Sequence, residues 1–216
     1  MRGIMIKDAR LYLIYALFFL AAATAVPLLA PERPAPPLAV AGSLFMYIFV
    51  LAPSLIAEVN EERFGGYAFM LSLPLRLETV VRAKFVLPAF FALIAVLYHL
   101  VIFSMLESAP EVFRLCAGIF VLNGSVAVVL SGVSLLLVFR TGARNVMTGL
   151  VLLGVFVNLA FLFAARTGYL RETAARAMSA VEAISPLVLV ASAAAAAALH
   201  LLLMRAAVGI KRERIF

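Results

Sequence analysis

Few side chains in this sequence could do chemistry, and they are scattered. His99 and His200 are its two histidines, Glu61 and Glu62 form an adjacent acidic pair, and Asn123, Ser131, Ser134 and Asn158 interrupt otherwise apolar runs. Two imidazoles and a carboxylate pair can run general acid–base catalysis, provided that they converge. One reading is therefore an intramembrane enzyme or maturation factor built on His99, His200 and Glu61–Glu62. Against it, the layout below sets His99 toward the outer side of the membrane and His200 toward the inner. A lone His, Asn or Ser within a span more often bonds a neighbouring helix. The competing roles for His99, Asn123, Ser131, Ser134, Asn158 and His200 are thus helix packing or the lining of a substrate pathway.

Several chemistries have no motif here. The sequence contains no GxxxxGK[ST] segment, so no ATP-phosphate cradle is expected on this chain; HExxH and GxSxG are absent too. Cys116 is the single cysteine and lies in an apolar run, which leaves neither a disulfide framework nor a thiolate metal site. Neither a metal nor a cofactor is expected. The sequon Asn123-Gly124-Ser125 falls inside a run, where glycosylation is not expected. The apolar runs hold no Asp, Glu, Lys or Arg, so no proton or sodium relay is expected and the driving energy should enter from outside the chain.

The elements that must position these residues follow from composition. Of 216 residues, 66% are hydrophobic and 13% charged, whereas a soluble domain is roughly 45–50% apolar. Six runs, 11–30, 38–57, 85–106, 115–139, 146–165 and 187–204, are each long enough to cross a hydrocarbon core. No ~10-residue alternating segments suggest a barrel. The expected fold is an all-α integral membrane protein with six transmembrane helices in one domain.

Basic residues orient it. Thirteen of the 18 Lys and Arg lie in the N-terminus, the 58–84 stretch, "RTGARN" and the C-terminal tail, which places both termini in the cytoplasm. That asymmetry accounts for the net charge of +7 without a nucleic-acid partner. The basic start and apolar run have the outline of a signal peptide. Because the run continues through "VPLLA" and Asp8 interrupts its basic region, it is expected to remain as the first span. "PERPAPP" reads as a stiff external turn. Segment 166–186 carries Leu170, Ala174, Met178, Val181 and Ile184 near helical spacing and reads as an amphipathic external element before the last span. The Ala-rich "ASAAAAAALH" predicts close helix packing within a bundle or a dimer seam.

The remaining feature is the loop 58–84. Phe64, Tyr67, Ala68 and Leu71 fall at i, i+3, i+4 and i+7, giving one apolar helical face too short to span. Gly65 and Gly66 free the chain to turn, Pro74 divides two short helices, and Arg76, Arg82 and Lys84 are expected to face headgroups. Such a patch calls for a cover, either the membrane surface or a groove on a partner protein.

The run "EERFGGYAFMLSLPLRLETVVRAKF" resembles the first cytoplasmic loop of membrane subunits of type-2 ATP-binding-cassette exporters. The matching positions are Glu61, Glu62, Gly66, Leu71, Leu73, Pro74, Arg76 and Lys84; Leu77-Glu78 departs from the polar or basic residues often found there. The six-span plan is similar as well. The resemblance implies a coupling helix in which Glu61, Glu62, Phe64, Gly66, Tyr67, Leu71, Pro74 and Arg76 dock on cytoplasmic ABC ATPase subunits, which would hold the ATP and Mg. It further implies a second membrane subunit, identical or not, and a multi-pass location in the cytoplasmic (inner) membrane. The sparsely charged runs lean toward a lipid, hydrophobic peptide or amphiphilic drug-like substrate. A third reading is a membrane anchor or assembly protein that binds its partner through the same loop without transport.

Overall fold

The computed structural model describes residues 2–29, 35–66, 76–106, 109–150 and 183–215, with 152, 176 and 179–181 besides. Every regular element among them is helical: α1 (Arg2–Leu29), α2 (Ala35–Arg63), α3 (Leu77–Leu106), α4 (Pro110–Thr141), a stretch at 143–150, and α5 (Pro186–Ile215). In lipid a free backbone group has no partner, and a helix satisfies its own. Segments Leu38–Arg63, Glu78–Leu106, Pro110–Thr141 and Pro186–Ile210 are long and apolar enough to cross a membrane. The expected first span lies within α1, which is not among those four; the expected fifth is described only through residue 150 and at 152. Most of the amphipathic segment 166–186 also lies outside the described residues.

The helices overrun the apolar runs that mark them. α4 has 32 residues, about 48 Å at 1.5 Å per residue, against a hydrocarbon core of about 30 Å. Pro110 starts it, Glu111 and Arg140 suit its dipole at the two ends, and Gly142 terminates it at φ +95° with its N–H donating to the Val138 carbonyl (2.8 Å). The overrun matters most at α2 and α3, whose charged ends become helical turns with fixed faces.

α3 and α4 form the middle of the bundle. α1 packs on α2 and α3 at one flank, and α5 packs on α4 and α3 at the other. Phe90, Leu93, Ile94, Leu97 and Val101 make an exposed apolar stripe on α3, the reverse of a soluble helix and suited to lipid. Two buried clusters divide the interior. One gathers Tyr12, Phe19, Phe49, Phe91 and Phe120 along α1–α4 and includes the buried Cys116. The other joins Leu55, Phe85, Leu135, Phe139, Val146 and Ala207 at the end where α2 meets the loop. That end is called the loop end below, and the opposite one the far end.

Candidate functional site

At the loop end, helical spacing turns an acidic stretch into an organised site. Glu58 and Glu61 are one turn apart on α2 and face inward, where Lys84 of α3 meets both. The Lys84 Nζ lies 3.0 Å from Glu58 Oε1, 3.5 Å from Glu61 Oε1 and 2.9 Å from Asp8 Oδ2 of α1. All four side chains are less than 5% exposed. Lys84 therefore does not face headgroups, an expectation that fails because the helices continue past the apolar runs and carry these charges into the bundle; Glu61 is buried beside it. The described interior thus holds ionisable groups, which counting charges within the runs alone had left out. Charges so far from water persist only when paired at close range. Here one ammonium ties three helices.

The loop leaves from this anchored base. The Phe64 N–H donates to the Asn60 carbonyl (3.0 Å), and Gly65 at φ +65° ends α2. Phe64 is 74% exposed, with the Arg63 guanidinium 5.5 Å from its ring centre. Gly66 sits against the Glu61 carboxylate, leaving no room for a side chain. Tyr67, Leu71 and Pro74 lie outside the described residues. Arg76 is exposed, and its carbonyl accepts from the Thr79 N–H at the start of α3 (2.8 Å). A cleft of about 460 Å³ opens beside Phe64, between Arg10, Leu11 and Ile14 of α1 and Ala57 and Asn60 of α2.

Glu62 is adjacent to Glu61 but about 100° around the helix, and it finds a different partner. The Ala143 N–H donates to Glu62 Oε1 (2.6 Å), joining the end of α2 to the turn after α4.

Two prolines that interrupt helices make further interhelical ties. Pro88 has no N–H for the Lys84 carbonyl and opens the turn before it. The next carbonyl, Phe85, then lies 3.0 Å from His200 Nε2 of α5, while His200 Nδ1 is 2.9 Å from the Val128 carbonyl of α4. A neutral imidazole has one N–H and satisfies one of these carbonyls at a time. Gly132 permits the approach, since a methyl there would come within 2.8 Å of Nδ1. Pro53 acts likewise in α2: the Val50 carbonyl, three residues before it, accepts from the Tyr12 hydroxyl (3.4 Å) and Ser54 Oγ (3.5 Å). Beside each proline, the carbonyl one residue after the one it orphans thus meets a side chain of another helix, His200 at Phe85 and Tyr12 at Val50.

The other flagged polar residues are held locally. Asn123 accepts from the Tyr47 hydroxyl (2.7 Å) and donates to the Ile119 carbonyl (2.8 Å), bonding α4 to α2. Ser131 donates to Val128 (2.8 Å), Ser134 is buried, and Asn158 lies outside the described residues. His99 is 1% exposed, stacked on Phe120 (centroids 4.5 Å) and edge-on to Phe19 (5.3 Å), with Nδ1 2.9 Å from the Ala95 carbonyl. Fourteen residues of α3, about 21 Å, separate it from Phe85 and hence from His200. The structure does not bring His99, His200, Glu61 and Glu62 together. Among the described residues no three or more His, Cys, Asp or Glu are placed to hold a metal ion.

The residues missed from sequence are Asp8, Glu58, Tyr12, Pro53 and Pro88, while Lys84 was singled out but given a different role. A signal existed for some: Glu58 and Glu61 share a helix face by spacing, and prolines within apolar runs mark carbonyls that want another donor. Between α3, α4 and α5 an apolar groove of about 420 Å³ is lined by Ala92, Val96, Gly124, Ala193 and Ala197, with His200 at its edge.

Over residues 3–207 the chain matches the family model described as ABC-2 family transporter protein. No curated protein matches it.

Proposed function

The chain belongs to the ABC-2 family of transporter proteins, and from that premise we propose that it is the permease subunit of an ATP-driven exporter worked by a separate ATPase. Membership makes it a multi-pass membrane permease of an ABC transporter. Six spans cross the cytoplasmic membrane with both termini inside. The loop from Phe64 to Arg76 docks on a cytoplasmic ABC ATPase that holds ATP and Mg, and two such membrane subunits enclose the pathway. Closure of the ATPases pushes the loop, and the bundle rocks from inward to outward access. The exposed small-residue face of α5, where among residues 186–210 only Ala196, His200 and Ala207 are buried, supports packing against a second membrane subunit. The apolar groove beside His200 supports a lipid, hydrophobic peptide or amphiphilic substrate over a small ion.

The observation that carries this reading is the contrast at the loop's root. Phe64 stands 74% exposed directly beyond Glu61, which the Lys84 network holds at the centre of three helices. An apolar tip on a rigid base suits a lever better than a lipid-facing loop. To test it, the tagged chain is coexpressed with its cognate ATPase, and residues 64–73 are deleted. Association should fall to background while the permease still inserts; undiminished association ends the docking claim.

A further inference from the structure

We propose that Glu62 is a positioning residue that ties the first loop to the turn following α4, and that it is not a contact for the ATPase. The inference rests on the exporter reading and concerns how motion at the loop reaches the far side of the bundle.

The geometry is specific. The first N–H groups of a helix have no acceptor within it. In the stretch 143–150 the Val146 N–H reaches back to the Gly142 carbonyl (3.4 Å), but Ala143 stands too early for such a bond. Its N–H is met by Glu62 Oε1 at 2.6 Å, a carboxylate at the positive end of a helix. Two further observations fix the pairing. Gly142 adopts φ +95°, which side chains resist, and a methyl there would lie 3.2 Å from Glu62 Oε1. Beneath the bond, Leu55 and Val59 of α2 share one apolar cluster with Ala143, Val146, Met147 and Leu150. The end of α2 and the stretch 143–150 are therefore joined twice, by packing and by a directional cap. A push on the loop that displaces α2 must carry this stretch with it, and with it the chain that leads out of residue 150. Glu62 itself is exposed, but the oxygen that meets the Ala143 N–H is engaged within the chain.

The test uses full-length permease in nanodiscs, alone and with the ATPase that co-purifies with the tagged wild-type chain. In the permease alone, Glu62→Ala should speed hydrogen exchange at the Ala143 amide by about tenfold, the scale of a charge-assisted bond. Glu62→Gln keeps an acceptor oxygen and should change it far less. In the complex, trapping with ADP–vanadate should alter exchange across 143–150 in the wild type. That response should disappear in Glu62→Ala and survive in Glu62→Gln, with the ATPase retained at the wild-type ratio in both. Loss of the ATPase from Glu62→Ala would make Glu62 a docking contact and overturn the proposal. So would a trapping response in Glu62→Ala equal to the wild type. If no ATPase accompanies the wild-type chain, the exporter reading falls and the transmission role falls with it, while the exchange of Ala143 in the isolated permease still reports the cap.

Discussion

The two ends of the α1–α2–α3 unit are held together in opposite ways. At the loop end one ammonium, Lys84, sits among Asp8, Glu58 and Glu61, with separations of 2.9, 3.0 and 3.5 Å. Toward the far end there are rings: Phe19 stacks on Phe49 (4.6 Å), and His99 stacks on Phe120 (4.5 Å) beside Phe103. Rings fill volume and tolerate small shifts, because dispersion falls gradually and the quadrupole preference for edge or offset contact is mild. A buried ammonium shared by three carboxylates tolerates almost none, since every ångström lost leaves charge in a low-dielectric interior. The loop end is thus fixed in register, which suits a place where force would enter, while the far end is packed but adjustable.

Substitutions at the two ends should separate these behaviours. The largest effect is expected from Lys84→Met, which leaves three buried carboxylates without their shared ammonium and should cost about 3–5 kcal/mol. Thermal unfolding of the detergent-solubilised chain, followed by loss of the monodisperse fraction, measures it. A cost near zero would mean that the carboxylates are carried by other groups, and the contrast between the ends would vanish. A smaller loss is expected at the far end from Phe120→Leu, about 1–2 kcal/mol from a reduced ring and a partly refilled space. If that loss exceeds the Lys84→Met loss in the same assay, the ranking of the two ends is reversed. Smallest is Tyr12→Phe, where the two regimes meet. The ring stacks on Phe91 at 4.5 Å, and the hydroxyl reaches the Val50 carbonyl at a long 3.4 Å. Keeping the ring and losing the hydroxyl should cost below about 1 kcal/mol; a larger loss would extend the polar regime further up α1.

How much of this was legible in the sequence differs between the same two ends. The apolar runs located α2, α3, α4 and α5, because lipid demands long unbroken hydrophobic helices. They did not locate helix ends. The run 38–57 became a helix over Ala35–Arg63 and the run 85–106 one over Leu77–Leu106, since a helix persists into water wherever its side chains allow. That overrun hid the ion network: Asp8 and Lys84 are 76 positions apart, and each looked like a solvated flank of its own span. The pair Glu61–Glu62 was singled out but read as one feature. The 100° turn between neighbours sends one inward and the other to Ala143, and nothing in a linear reading says which. His99 touches Phe19 and Phe120, Asn123 bonds Tyr47, and His200 lies against carbonyls of two other helices. Tyr67, Leu71, Pro74 and Asn158 fall outside the described residues.

The shared ammonium also bears on how the chain is made. Asp8, Glu58 and Glu61 are synthesised before Lys84, so a nascent chain that has inserted α1 and α2 holds three inward-facing carboxylates ahead of the residue that joins them. The first two helices can already pack through Phe19 on Phe49, but the charge network at their loop end closes only when the third helix brings Lys84. A truncated product ending before α3 would lack that closing residue, and so would carry its own mark of incompleteness for the proteases that survey the membrane.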